Sequence, residues 1–425
     1  MKKAVLVTSL MLFSMFFGAG NLIFPPMLGQ ESGMAYLPAI IGFLSTGVLL
    51  PVVAIIAVVV SGNDVRDMAS RAGKVFGLAF PILAYLSIGA FYALPRTGAV
   101  SYSTAVGADS ILYSGIFNFV FFGVALALSW NPNGVANKLG KWLTPALLLL
   151  ILLLVVLSLS MLTGTPAEPR GAYAEQAVGA GLFEGYMTMD SIAALAFGIV
   201  VISAFKYQKV KKVRTATVYA ALIAGGLLAA VYLGLGAVGR VAGGNHADGT
   251  AILNHAAEQT MGGTGQWVFA VIVVLACLTT AIGLITATSE FFNSLLPGIR
   301  YHVWAVLFAV ISFAVATLGL ETVLSIAAPI ITFIYPAAIT LVVLTLLEPL
   351  LFRFHYTFLL GIWTSVVWAF FMSVPALIPF IEWAPLHSVQ LGWVVPVALM
   401  SVLGMVADWN NRTRTPVEEK AAVNT

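Results

Sequence analysis

Charged residues and cysteines are scarce in this chain. Asp, Glu, Lys and Arg make up 9% of its 425 residues, whereas a soluble domain carries about a quarter. Cys277 is the only cysteine, so an internal disulfide is excluded. The net charge of +3 does not indicate a nucleic-acid-binding surface. No P-loop motif is present, which argues against ATP-driven pumping by this chain alone.

Apolar residues are abundant instead. They make up 60% of the chain, and runs of about twenty residues are long enough to cross a bilayer as helices. The longest polar connections, Thr163 to Ala180 and Arg240 to Gln266, are loop-sized, so no soluble domain is expected. The sequence predicts an all-α polytopic membrane protein with about twelve spans, at 4–28, 35–61, 76–106, 111–130, 142–162, 181–205, 214–239, 266–292, 302–319, 323–347, 356–375 and 390–408.

The basic residues predict the orientation. With the N-terminus in the cytoplasm, seventeen of the twenty Lys and Arg residues face inward, and only Arg96, Arg170 and Arg240 fall toward the outside. The positive-inside rule therefore supports an even number of spans with both termini in the cytoplasm. We expect a multi-pass protein of the cytoplasmic membrane.

Span positions also suggest an internal repeat. A similar offset separates span 1 from span 6 and span 5 from span 10, which gives five-span blocks at 4–162 and 181–347. Because five is odd, the second block enters the membrane in the opposite orientation, as in many secondary transporters. Residues 356–408 hold spans 11 and 12, and residues 409–425 form a cytoplasmic tail of this single transporter domain.

Span 1 is interrupted near its middle. The stretch MLFSMFFGAGNLIFPPMLGQ contains Gly18, Gly20 and Asn21, followed by Pro25 and Pro26. A signal peptide has similar features, but the apolar run resumes with NLIF. A dinucleotide-binding loop would need a third glycine and a preceding strand. Simple helix packing through small residues explains the glycines but not the asparagine or the prolines.

Span 6 carries a matching interruption. Gly185, Thr188 and Asp190 lie inside the otherwise apolar stretch GLFEGYMTMDSIAALAFG. Broken helices in corresponding positions of two repeats mark transporter binding sites. Free N–H groups at a half-helix N-terminus attract a carboxylate, and free carbonyls at a half-helix C-terminus coordinate a cation. An amino-acid zwitterion travelling with a cation fits both ends.

Four motifs in order carry a resemblance to a known family. FFGAGNLIFPPMLGQ, ALPRTGAVS, EGYMTMDSIAALAFGIVV and LACLTTAIGLITATSEFF together resemble the bacterial branched-chain amino acid:cation symporter family, the BrnQ type. The resemblance implies import of leucine, isoleucine and valine, usually with Na⁺. It also implies a LeuT-type fold, a five-plus-five inverted repeat with discontinuous helices 1 and 6 and two extra C-terminal helices.

The same resemblance implies where substrate and cation bind. The substrate carboxylate is expected on the backbone around Ala19 and Gly20, with Thr188 and the side-chain oxygen of Asn21 at a first cation position. The full expected break comprises Gly18, Ala19, Gly20 and Asn21.

A second cation position is implied by span 8 together with span 1. The carbonyls of Ser14 and Phe17 would meet Ala276, Thr279 and Thr280. Residues at i, i+3 and i+4 share one helix face, and neutral oxygens suit a weakly held monovalent cation. The alternative is that the two threonines only bond to helix backbone.

Asp190 departs from the LeuT-type pattern, in which a small hydroxyl residue is expected. A carboxylate inside the membrane is by default a functional hypothesis, and three roles stay open: binding the substrate ammonium, carrying a proton or completing a cation site. A structural hydrogen bond at a half-helix N-terminus is the alternative. Phe91, Tyr92, Tyr186 and Met187 are candidates to enclose the branched side chain.

Two pairs of residues are candidate gates. Arg96 would form an extracellular gate with Glu184, or else anchor span 3 at the interface. Glu290 and Asn293 lie at the inner end of span 8 as an inner gate or as a solvated helix end.

The sequence therefore predicts a secondary active symporter rather than an enzyme. Its expected partners are an amino acid, the lipid bilayer and Na⁺ or H⁺ as coupling ion, with no cofactor, transition metal, nucleic acid or obligatory protein partner. An intramembrane enzyme would need clustered His, Asp, Glu or Cys at membrane depth, and the five histidines map to loops or span ends. A channel and an exporter, or a transporter of another small zwitterion, remain as alternatives.

Overall fold

The computed structural model describes residues 2–412 except residues 63, 109, 352, 388 and 389. The side chains of residues 326–328 and 410–412 are also outside the description, as is most of the expected tail, residues 413–425. The described part of the chain is helical and contains no strand, as the apolar runs predict.

The described residues of the first half form ten α-helices. They are α1 Lys2–Phe16, α2 Ala19–Ser32, α3 Tyr36–Leu44, α4 Leu50–Ser61, α5 Val65–Ala69, α6 Lys74–Leu86, α7 Ala93–Ala105, α8 Ile111–Ser129, α9 Val135–Lys138 and α10 Thr144–Met161.

The described part of the second half contains nine more α-helices. They are α11 Ala172–Met187, α12 Asp190–Tyr207, α13 Val213–Val241, α14 Gly249–Met261, α15 Gly263–Leu295, α16 Tyr301–Thr317, α17 Leu320–Leu347, α18 Tyr356–Ser373 and α19 Val394–Arg412. The region from Arg240 to Gln266, expected to be a loop, contains all of α14. Asp248 caps this helix by accepting a hydrogen bond from the Ala251 N–H at 2.9 Å.

By length and composition, nine helical stretches of the described residues are able to cross a membrane, and two shorter apolar helices, Tyr301–Thr317 and Val394–Trp409, accompany them. One of the nine, Ala19–Ser61, covers the end of predicted span 1 and all of span 2. Each of the twelve predicted spans therefore corresponds to an apolar helical stretch in the structure.

The chain divides into two compact units. The larger unit contains Met1–Val59 and Tyr85–Ala327, and the smaller contains Val60–Ala84 and Ala328–Thr425. In the smaller unit, Arg71 pairs with Glu348. All the residues proposed above for substrate and cation binding lie in the larger unit.

Glycines allow two helix pairs of the larger unit to approach closely. A Cβ on Gly239 of α13 would lie 1.9 Å from the carbonyl oxygen of Pro26 in α2, and one on Gly29 would lie 2.0 Å from that of Gly236. In α11, a Cβ on Gly181 would lie 1.9 Å from the carbonyl oxygen of Ala39 in α3. Each interrupted span thus packs backbone to backbone on the second span of the other predicted repeat.

Among the described residues, three π-helical segments interrupt the spans, at Ser45–Leu49, Ser87–Phe91 and Leu139–Leu143. The second ends where the Tyr92 N–H donates to the Ser87 carbonyl at 2.8 Å. Tyr92 itself is non-helical, with φ −137° and ψ −77°, and is the N-cap of α7. The π-helical segment and this N-cap therefore separate α6 from α7, which carries Arg96.

Candidate binding site at two helix breaks

The first break separates α1 from α2. Helical hydrogen bonding of α1 ends at Phe17, whose N–H donates to the Phe13 carbonyl at 2.8 Å, and Gly18 has an extended conformation with φ −117° and ψ −157°. The Gly18 N–H donates to Asn21 Oδ1 at 3.2 Å, so the Asn21 side chain closes the break from inside α2. A Cβ on Gly18 would lie 2.8 Å from Thr280 Oγ1. Glycine is therefore needed here because there is no room for a side chain.

The second break separates α11 from α12 between Thr188 and Asp190, within the stretch that the sequence predicts. Met189 has a left-handed conformation with φ 64° and ψ 15°, and the Thr188 hydroxyl donates to the Gly185 carbonyl at 2.8 Å. Gly185 itself lies within α11, where a Cβ would be 2.3 Å from Thr46 Oγ1. This glycine is therefore needed for packing and not for the interruption.

One hydrogen-bond network joins the two breaks. Asn21 Nδ2 donates to Asp190 Oδ2 at 2.6 Å and also to the hydroxyl of Tyr232. That hydroxyl in turn donates to Asp190 Oδ2 at 3.3 Å. All three side chains are buried, and Asp190 is the first residue of α12, where a helix N-terminus favours negative charge.

The proposed second cation position gathers oxygen atoms from two helices. The hydroxyls of Thr279 and Thr280 donate to the Ser14 carbonyl oxygen at 3.0 and 3.3 Å, and Thr279 also reaches the Ala276 carbonyl at 2.9 Å. All four residues are buried. Phe17 is buried as well, with its ring 5.4 Å from that of Phe13. The expected neighbours Ser14, Ala276, Thr279 and Thr280 therefore lie together.

At the proposed first cation position, the described residues show no direct hydrogen bond between Thr188 and Asn21. Asp190 interacts with both side chains instead. The structure thus places a carboxylate beside the two residues that the resemblance assigns to this cation position.

The four candidates for the side-chain pocket differ in exposure. Tyr92 and Tyr186 are buried, Met187 is half-buried and Phe91 is 38% exposed. Tyr92 is committed to another partner, since its hydroxyl accepts a hydrogen bond from Arg96 Nη1. The specificity pocket therefore remains a prediction.

The candidate gates are not closed as ion pairs among the described residues. Arg96 lies beside Gly20 in α2, with Nη2 3.2 Å from the position of a Cβ on that glycine. Glu184 is half-buried, and the inner-side Asn293 donates to the Ile299 carbonyl at 2.8 Å. Glu290 is half-buried, with Oε2 enclosed and without a hydrogen-bond partner in the described chain. Both gates stay predictions.

Tyr232 was absent from the residues expected at the site. Its signal in the sequence is weak: one polar ring among the small residues of LLAAVYLGLGAVG in α13. Only the packing of α13 against α2 brings the hydroxyl to Asn21.

Comparison with known proteins identifies the family. A family model described as "Branched-chain amino acid transport protein" matches residues 1–411. The chain belongs to this family. The branched-chain amino acid permease BrnQ of Corynebacterium glutamicum is 73% identical over 423 residues, covering 100% of this chain and 99% of the relative. The permease BraB of Bacillus subtilis is 35% identical, with 95% of each chain covered.

Solved structures show the fold. Mhp1, a nucleobase-cation-symport-1 family transporter with bromovinylhydantoin bound, matches with a TM-score of 0.60 at 14% identity, covering 96% of this chain and 93% of that chain. A mutant manganese transporter of Eremococcus coleocola matches with a TM-score of 0.57 at 13% identity, covering 97% of this chain and 96% of that one. The predicted family and the LeuT-type fold are confirmed, and the family is one of transport proteins and not of enzymes.

Proposed function

We propose that this protein is a secondary active symporter that imports leucine, isoleucine and valine together with Na⁺. Family membership supports branched-chain amino acid transport; the direction, the coupling ion and the mechanism are the proposal. The substrate is a zwitterion with an aliphatic side chain, and the coupling ion is a monovalent cation.

The observation that carries the symport proposal is the oxygen cluster between α1 and α15. Two threonine hydroxyls converge on the Ser14 carbonyl at 3.0 and 3.3 Å in a buried position. Both hydroxyls now donate to that carbonyl, and each has lone pairs that can turn to a cation when its hydrogen rotates away. Neutral oxygens favour a hard monovalent ion without trapping it.

The adjacent break supplies the substrate side of the site. The first N–H groups of α2 have no partner within their helix, and their dipole attracts an anion such as the substrate carboxylate. Gly18 lies against Thr280, so the backbone that would bind the substrate touches a residue that would bind the cation. Occupation of one position therefore organises the other, which is the physical basis of coupling.

Alternating access is the mechanism that this arrangement supports. The two breaks are held together by the bonds from Asn21 to Asp190 and Tyr232, and we expect opening to alternate on the two sides of this network. The positive-inside pattern supports a topology in a bacterial cell membrane with both termini in the cytoplasm. No cofactor or protein partner is required by this scheme.

Proton coupling is the second candidate, and Asp190 favours it. Its carboxylate is buried, and Oδ2 accepts hydrogen bonds from Asn21 and Tyr232. A buried carboxylate in a transporter is a common proton carrier, so the same site offers a titratable group as well as neutral oxygens.

Uptake into proteoliposomes tests both candidates. Labelled leucine is supplied under an inward Na⁺ gradient, an inward H⁺ gradient, both or neither, with K⁺ replacing Na⁺ as the control salt. We expect accumulation with the Na⁺ gradient, and competition by isoleucine and valine. Uptake that ignores both gradients would rule out symport.

The Asp190→Asn variant distinguishes coupling to Na⁺ from coupling to protons. If Na⁺ drives uptake through the threonine cluster, the variant keeps a dependence on Na⁺ even where its rate is low. If protons drive uptake, the wild-type protein responds to the pH gradient without Na⁺, and Asp190→Asn loses that response.

A further inference from the structure

Among the described residues, Arg96 is a buried charge without an anionic partner in contact. Its side chain is 7% exposed, Nη1 donates to the Tyr92 hydroxyl, and Nε is enclosed without a hydrogen-bond partner in the described part of the chain. The guanidinium carbon lies 5.3 Å from the ring centre of Tyr92 and 5.9 Å from that of Phe24. Aromatic faces attract a cation but do not neutralise it.

The guanidinium lies against the first turn of α2. Nη2 and Nη1 are 3.2 and 3.4 Å from the position that a Cβ on Gly20 would occupy. Gly20 is the second residue of α2, and its N–H is among those that the helix itself leaves unpaired. A fixed positive charge and a helix N-terminus thus meet at one place.

A negative side chain lies across the same turn without reaching Arg96. Asp190 interacts electrostatically with Arg96, yet no ion pair within 4.0 Å joins them among the described residues. Asn21 and Tyr232 hold the carboxylate through Oδ2 instead. Opposite charges therefore flank the backbone of Gly20 and Asn21, as the two ends of a zwitterion require.

Burial makes this arrangement informative. An arginine stays protonated at all accessible pH values, and an enclosed charge without a counter-ion is costly. The Arg96 side chain is held in place by its bond to the Tyr92 hydroxyl and by its contact with Gly20.

We propose that Arg96 binds the carboxylate of the amino-acid substrate, together with the first N–H groups of α2. This inference rests on the proposed function and adds a residue to it. The guanidinium has a planar fork of N–H donors that matches the two oxygens of a carboxylate. Tyr92 holds one arm of the fork, and Nη2 and Nε are the donors that face the substrate. Arg96 is then a specificity residue that selects α-amino acids over amines and amides.

Arg96→Gln and Arg96→Lys in proteoliposomes test the proposal. In Arg96→Gln, we expect the KM for leucine to rise at least about 30-fold, because a buried charge interaction is lost. Arg96→Lys keeps the charge without the planar fork, so its KM for leucine should lie between those of the wild type and Arg96→Gln. Arg240→Gln is the matched control: the Arg240 guanidinium, like that of Arg96, lies near a tyrosine ring, 5.9 Å from that of Tyr36, and it donates to the Gly33 carbonyl at 3.1 Å.

Leucinamide, which lacks the carboxylate, gives a second readout. Wild-type protein should be inhibited by leucinamide far more weakly than by unlabelled leucine, and this difference should shrink towards unity in Arg96→Gln. A leucine KM within threefold of wild type in Arg96→Gln, or undiminished discrimination, would overturn the proposal. Should Arg96→Gln fail to fold, equal inhibition of wild type by leucine and leucinamide overturns it as well. Failure of wild-type uptake under every gradient would refute the proposed function instead.

Discussion

The two helix breaks differ in what determines their backbone conformation. At the first, Gly18 has an extended backbone that any residue can adopt, and its lack of a side chain is required because Thr280 lies against it. At the second, Met189 has room for a side chain but adopts a left-handed conformation that side chains disfavour. One break is therefore determined by space and the other by backbone strain.

This difference suggests a division of roles. The crowded break couples to α15, which carries the proposed cation ligands, so its geometry is tied to ion binding. The strained break costs about 1–2 kcal/mol at Met189, a conformation that must be maintained by the surrounding contacts. Strain of this kind is typical of segments that change conformation in function.

The largest effect is expected for Gly18→Ala. The added methyl group would lie 2.8 Å from Thr280 Oγ1 and 3.2 Å from Cγ2, so α2 or α15 must shift. We expect leucine uptake to fall about tenfold or more. Gly123→Ala is the control, since nothing lies within 4 Å of its Cβ position in α8. Normal uptake in Gly18→Ala would show that the break is not crowded in the working protein.

Thr280→Ala comes next, because it removes one oxygen of the cation cluster without adding bulk. The apparent affinity for Na⁺ should fall about tenfold, or about 1.4 kcal/mol, with little change in the maximal rate at saturating Na⁺. Thr345→Ala is matched to it, since that buried hydroxyl bonds to the Leu341 carbonyl of its own helix at 2.7 Å. An unchanged Na⁺ dependence in Thr280→Ala would contradict the assignment.

A smaller effect is expected for Tyr232→Phe, which removes the hydroxyl that connects the two breaks. Loss of one hydrogen bond costs about 1 kcal/mol, so the KM for leucine should rise about threefold to tenfold. Tyr301→Phe loses a comparable buried bond, to the Ser129 carbonyl at 2.7 Å, and should leave the KM unchanged. Equal KM values in the two variants would mean that Tyr232 only stabilises the fold.

The smallest effect is the expected difference between Met189→Gly and Met189→Ala. Both variants lose the same buried side chain, which lowers the free energy of unfolding, but only glycine also relieves the left-handed strain, at an entropic cost of about 0.5–1 kcal/mol. The thermal midpoint in detergent should therefore be about 1–2 °C higher in Met189→Gly than in Met189→Ala. Equal midpoints in the two variants would mean that the left-handed conformation at Met189 costs little.

The sequence was most informative where local chemistry and fold agree. Apolar runs predicted the spans, and Gly18 followed by Asn21 predicted the first break, because glycine and asparagine in an apolar helix are locally unfavourable. The register of Thr279 and Thr280 placed both hydroxyls on the face that reaches Ser14. Helical periodicity alone fixes that face.

Other features depended on tertiary packing. The second break lies at Met189, between the predicted residues Thr188 and Asp190, but Gly185, which also indicated it, serves the contact with Thr46 instead. From the sequence alone, a glycine that allows a helix break cannot be told from one that allows a close helix contact. Tyr232 acquires its significance only from the helices that surround it, and the sequence predicted Arg96 only as a gate or an interface anchor, so neither was assigned to substrate binding.

The glycine contacts have a mechanical consequence. In the pair of α2 and α13, and in the pair of α3 and α11, carbonyl oxygens face glycines where even a methyl group would overlap. Such contacts contain no side chain whose rotation could absorb a displacement, and sliding by one residue would shift the helices by about 1.5 Å. We therefore expect each pair to move as one rigid body, so that opening the proposed site would carry α13 along with α2, and α3 along with α11.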